Sequence, residues 1–244
     1  MSPEPPAAGA HRGARTAVAV LLALGALAYT TWALEVFLPT GLSPLRSYVS
    51  ELAAEDQPYG TFFRSLDFGA GVLVCAGAVL ALLWRVRPAG LSRGLARLTA
   101  LGWAGVALFG AATAADSRLP LSCAPTADAA CVARERAGLV PAAHSAHAVS
   151  SSVAVAGALV GMVLLTVVVR RAGAREGTRA GGGLLTLLLG VELAATVWTL
   201  AAVAAFDAGR GTWGLGVAQR LQLLTIAVWL VVVAWLVRRS WRRG

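Results

Sequence analysis

Two histidines three residues apart, His144 and His147 in "HSAH", fall on one face if their segment is helical. With Asp116 beside them they suit two chemistries. The carboxylate would orient an imidazole as a general acid or base, or Asp116, His144 and His147 would together ligate a metal ion. A plainer alternative is a pair of interfacial histidines bonded to loop carbonyls. Ser50 and Asp67 join His144 and Asp116 as candidate catalytic groups, and Glu51, His147, Glu192, Asp207 and Arg220 are candidates to line the pocket around them. No H-E-x-x-H motif is present, and the third histidine, His11, precedes the first apolar run.

The elements that must position these residues are membrane helices. Of 244 residues, 57% are hydrophobic and 14% charged, against about a quarter charged in ordinary soluble domains. A bilayer-spanning helix takes about 20 mostly apolar residues. Six segments qualify: about 16–38, 63–84, 95–115, 143–169, 181–206 and 215–237. The predicted architecture is all-α, a polytopic membrane protein built as one six-helix bundle over 16–241. A Pro- and Ala-rich tail at 1–15 is expected to be disordered and cytoplasmic. The first apolar run exceeds the 7–15 residues of a signal-peptide core, so it is expected to be retained as a helix.

Every basic residue is Arg. Fourteen of them fall on one set of loops and ends with only Glu4 and Glu176, whereas the alternate loops hold seven Arg against nine acids. Arg excess marks cytoplasmic loops, which predicts a multi-pass protein with both termini inside. The net charge of +9 therefore sits at helix ends rather than on one soluble face, which argues against a nucleic-acid partner. His11 then lies on the opposite side from His144 and His147, so a three-histidine zinc site is excluded.

That topology puts Cys123 and Cys131 in the long outer loop "LSCAPTADAACVARERAG", where a disulfide is expected; a C-x-x-C redox pair is absent. It also gathers the polar residues of the spans in one leaflet. Asp67 begins the second span, Asp116 ends the third, His144 and His147 begin the fourth, Asp207 ends the fifth, and Gln219, Arg220 and Gln222 open the sixth. If these ends converge they form a pocket open to the outside. Glu192 lies near the middle of the fifth span and must be protonated, paired or facing a wet cavity, with Arg220 the nearest plausible cation. Arg64 and Asp67 are spaced to pair at the membrane edge. Gly157 and Gly161 form a G-x-x-x-G in the fourth span, expected to pack within the bundle. No P-loop, G-x-G-x-x-G or G-x-S-x-G is present.

The acidic segment between the first two spans reads as a short interfacial helix. Ser43 would cap it, Pro44 would occupy its first position, and Leu45, Val49 and Leu52 would form its apolar stripe. Ser50, rather than Glu51, would face the bundle.

"SPLRSYVSELAAEDQPYGTFFRSLDFGAG" resembles the first outer loop and second helix of the DUF998 integral-membrane family, a domain of unknown function. "AADSRLPLSCAPTADAACVARERAGLVPAAHSAHAVSS" resembles the later outer loop of its actinobacterial members: an Asp closing the third span, a Cys pair, then His opening the fourth. The resemblance implies six membrane helices and no established activity, with Ser50, Glu51, Asp67, Asp116 and His144 as characteristic polar positions. The first segment is also distantly similar to the outer loop of the Frag1/DRAM/Sfk1 group of eukaryotic membrane proteins, some linked to lipid remodelling or membrane trafficking.

The expected function is an outward-facing pocket that binds or processes a lipid or other amphiphile. Any catalysis would be hydrolysis or headgroup transfer. A non-enzymatic transporter, or a structural or regulatory partner in the membrane, is the alternative. No cofactor is required beyond the metal considered at Asp116, His144 and His147.

Overall fold

Long runs of Ala, Leu, Val and Gly form helices because their backbone groups must bond within the segment when no water is at hand. In the computed structural model, which describes residues 7–176 and 180–239, seven α-helices and two 3₁₀ segments are the regular elements. Helix α1 (Ala7–Tyr29) runs into a 3₁₀ segment at Thr31–Phe37, and a second 3₁₀ segment spans Val49–Ala53. They are followed by α2 (Gly60–Leu83), α3 (Arg93–Asp116), the short α4 (Ala129–Arg136), α5 (Ala142–Glu176), α6 (Ala180–Asp207) and α7 (Leu215–Arg239). Six of these helices, all but α4, are long and apolar enough to cross a membrane. The protein is a multi-pass membrane protein whose surroundings are a lipid bilayer.

The six long helices pack as a ring in chain order: α1 on α2, α2 on α3, α3 on α5, α5 on α6 and α6 on α7, with α7 closing against α1. Inside the ring lie Leu22, Val74, Trp103, Met162, Leu165 and Trp229. Leu27, Leu101, Leu187 and Leu200 stay exposed on its outside, as a lipid-facing surface requires. Lipid tails are as apolar as leucine, so helices here gain by close contact rather than by escape from water. The G-x-x-x-G of the fourth span meets that need within the bundle. A Cβ on Gly157 would stand 2.7 Å from the Phe109 amide nitrogen, and one on Gly105 would stand 2.7 Å from that of Gly161.

Three boundaries depart from expectation. Residues 7–15, expected as part of a disordered tail, extend α1 by two turns; residues 1–6 lie outside the described residues. Ala10, Arg12, Ala14 and Arg15 are good helix formers, and the His11 ring packs edge-on against Trp84 at 5.4 Å. The first span ends its α-helical part at Tyr29 instead of residue 38. Thr30 and Thr31 return their hydroxyls to the Leu27 and Ala28 carbonyls at 2.8 and 2.7 Å, and the chain tightens to 3₁₀ geometry that turns Glu35 inward. The short helix of the first loop exists, but as 3₁₀ over Val49–Ala53, with Tyr48 rather than Ser43 at its N-cap and no side-chain cap. Leu45 is exposed, so the expected apolar stripe does not form.

Candidate functional site

Between the 3₁₀ segment at Val49–Ala53 and the adjoining ends of α2, α3, α5 and α7 lies a cavity of about 130 Å³. Its polar lining includes Ser50, Asp67, Asp116, His147, Ser151 and Gln222, and its apolar lining includes Val49, Ala154, Val155 and Leu223. The volume is about four times the ~30 Å³ that one water occupies in the liquid. Elements far apart in sequence hold the walls together. Arg220 grips Glu35 with two bonds, at 2.6 and 2.7 Å, and donates to the Ser47 carbonyl at 3.0 Å. Gln219 Oε1 accepts the Val49 amide at 2.8 Å.

The second loop clamps the first. The Thr126 amide donates to Glu51 Oε1 at 2.7 Å, and the Thr126 hydroxyl lies 2.5 Å from Glu51 Oε2 and 2.9 Å from Ser47 Oγ. Glu51 is fully buried, and burial pushes its carboxyl above the usual range, against the hydrogen bonds from Thr126 that hold it down. The Glu55 amide adds a bond to the Leu121 carbonyl at 2.8 Å. The Cys123–Cys131 disulfide, expected from the sequence, closes the base of α4, and Asp128 caps that helix through the Ala130 amide at 2.8 Å.

The two histidines separate. His144, buried in the fold, does not line the cavity. Its Nδ1 lies 3.0 Å from the Ser122 amide nitrogen; a backbone N–H only donates, so Nδ1 is the acceptor and the proton sits on Nε2, 3.4 Å from Glu135. His144 therefore ties the second loop to α5. The pairing expected between Asp116 and His144 is corrected: Asp116 holds His147, Nδ1 to Oδ1, at 3.2 Å. That Nδ1 also lies 3.0 Å from the Leu119 carbonyl, and two acceptors fix its proton there. Nε2 lies 3.4 Å from Ser151 Oγ. Ser151 donates to Asp116 Oδ2 at 2.9 Å, and Ser150 donates to Oδ1. The set Asp116, His144 and His147 does not converge on a metal, and among the described residues no three His, Cys, Asp or Glu do.

Ser50 and Asp67 line the cavity. The other positions are redistributed. Glu51 is a clamp between loops, and Asp207 is exposed at the end of α6, outside the cavity lining. Arg220 serves Glu35 instead of Glu192. Glu192 is fully buried; Thr196 donates to its Oε1 at 3.3 Å, Gln222 donates to Thr196 at 2.9 Å, and Oε2 has no partner among the described residues. Arg64 does not pair with Asp67 but donates to the Ala53 and Ala54 carbonyls at 2.6 and 3.3 Å, ending the 3₁₀ segment on a charge-assisted bond. The residues missed in the sequence are Glu35, Thr126, Ser150 and Ser151. Of these, only Glu35 carried a signal, as a lone acid at the end of an apolar run.

Fold and site together define a polytopic membrane protein with a polar cavity under its structured loops. The chain belongs to the family described as "Protein of unknown function (DUF998)", whose model matches residues 17–236. No curated protein and no solved structure matches the chain.

Proposed function

We propose that the loop-side cavity binds the polar headgroup of a lipid or other amphiphile, on the extracytoplasmic side of a bacterial plasma membrane. The observation that carries this is Asp67: it lines the cavity and takes no hydrogen bond from any described residue. A carboxyl at membrane depth is costly without a partner, and a ligand amine or hydroxyl would supply one. Opposite it stands Asp116, held by His147, Ser150 and Ser151. The apolar wall of Val155 and Leu223 suits the first carbons of an acyl or alkyl chain. Arg excess on the other side supports the orientation, as does a disulfide in the loop above the cavity.

A catalytic version of the same site rests on one further observation, His147 lining the cavity with its Nε2 beside Ser151. His147 would remove a proton from water or a ligand hydroxyl, and Asp116 would stabilise the resulting imidazolium. The transporter alternative is less well supported, because Trp103, Met162, Leu165 and Trp229 fill the half of the ring below the cavity. Native mass spectrometry of the purified protein against phosphatidylethanolamine, phosphatidylglycerol and diacylglycerol tests the binding. One class should be retained by the wild type and lost at least tenfold in Asp67→Asn and Asp116→Asn. Equal retention of every class by both variants would overturn the assignment.

A further inference from the structure

A second cavity lies at the opposite, arginine-rich end of the bundle, where the chain turns from α2 into α3. It has a volume of about 290 Å³, and Arg85, Arg87 and Arg97 line it together with Leu82, Val86 and Trp103. Among the described residues, no acidic one lines it. Among the described residues none of the three guanidinium groups makes an ion pair or a hydrogen bond. We propose that this cavity is a binding site for a phosphate-bearing anion, independent of the loop-side cavity.

The turn that forms its rim is built rather than loose. The Val86 amide reaches back to the Ala81 carbonyl at 2.8 Å and the Arg85 amide to that of Leu82 at 3.1 Å, the double bond of a Schellman helix end. The Trp103 indole donates to the Val86 carbonyl at 2.9 Å, and Val86 is buried in the core. The residue at the left-handed position of such a motif is ordinarily glycine. Here it is Arg85, with φ +46°, so a side chain is held at a backbone position that disfavours one. Arg85 and Arg87 thus stand on either side of an anchored residue, and Arg97 faces them from the first turns of α3. A helix start carries partial positive charge, which adds to the field.

Three like charges around one cavity repel one another until an anion joins them. Guanidinium groups match phosphate oxygens through paired N–H donors, and basic pockets between membrane helices suit phosphate headgroups. Leu82, Val86 and Trp103 make the deeper wall apolar. That shape fits the phosphodiester of an anionic lipid, but free phosphate shares the recognised chemistry. Arg excess from membrane orientation alone would explain the charges without explaining a cavity or the arginine at a glycine position.

The test is thermal unfolding of the full-length protein in phosphatidylcholine nanodiscs, compared with discs doped with phosphatidylglycerol and with undoped discs given inorganic phosphate. A rise in Tm with phosphatidylglycerol only identifies a lipid headgroup; a rise with phosphate as well identifies the anion itself. No rise in either overturns the proposal. The variant carrying Arg85→Gln, Arg87→Gln and Arg97→Gln should lose most of the rise. Arg85→Gly separates binding from folding: without anion its Tm should equal or exceed that of the wild type, yet its rise should shrink. A control with Arg170→Gln, Arg171→Gln and Arg238→Gln removes the same charge elsewhere on that side and should keep the rise. Equal loss in the control would overturn the site in favour of bulk charge.

Discussion

The two ends of this bundle are held by different forces. At the loop end, buried charges and hydrogen bonds join residues separated by 75 to 185 positions, as in Thr126 with Glu51 and Arg220 with Glu35. At the arginine end, Trp103, Leu165, Trp229 and Val237 pack in an apolar core, and among the described residues the guanidinium groups of Arg85, Arg87 and Arg97 on the rim have no hydrogen-bond or ion-pair partner. Polar networks position groups within fractions of an ångström but fail sharply when one member is removed. Apolar packing in lipid tolerates more and positions less. A site that orients a ligand therefore belongs at the loop end, and one that merely attracts an anion suits the arginine end.

That contrast breaks first at Arg220. Arg220→Ala strands the buried Glu35 carboxylate and should destabilise the protein by roughly 3–5 kcal/mol, read as helicity lost on titrating denaturing detergent. Replacing both partners, Arg220→Met with Glu35→Leu, should recover most of the loss; no recovery would mean that Arg220 acts through the Ser47 carbonyl rather than through the ion pair.

Next comes the disulfide. Cys123→Ser with Cys131→Ser should cost about 2–3 kcal/mol in the chain-entropy account, confined to the loop end. Hydrogen exchange should rise around α4 and not within α3. Gly105→Ala tests the close helix contact between the two ends. Its Cβ would press on Gly161 and Gly157 and cost about 1–3 kcal/mol. Gly69→Ala, with nothing within 4 Å, should cost nothing.

The smallest effect is pH-dependent. Burial raises the Glu51 carboxyl above its unfolded value, so its contribution is fully present below the ordinary carboxylate range. That contribution is lost as pH rises through the raised value. The Tm of the wild type should fall across that window, and Glu51→Gln should flatten the fall. The same slope in both proteins would exonerate Glu51.

Much of the fold was legible because a membrane imposes it. Twenty apolar residues without water must be helical, so six spans followed from composition and run length. The disulfide followed from two cysteines in one short loop. The partners of the polar residues were not legible. His144 and His147 look alike in "HSAH", yet a step of three residues along the helix decides whether an imidazole meets Ser122 or Asp116. Arg220 was the cation expected for Glu192. It took Glu35 because the 3₁₀ tightening after Tyr29 swings that acid inward, a change of helix type that no hydrophobic pattern announces.

Taken alone, the sequence determined the class of protein, the number of spans, the cysteine pair and the crowding of polar residues at one end, all set by transfer of groups between water and lipid. Tertiary structure alone decided that His147 rather than His144 faces the cavity, that Glu51 locks two loops while Ser50 lines the space beside them, and that three arginines surround a second cavity. Those outcomes depend on angles about helix axes and on contacts across as many as 75 residues, where a hydrogen bond forms only within a few tenths of an ångström.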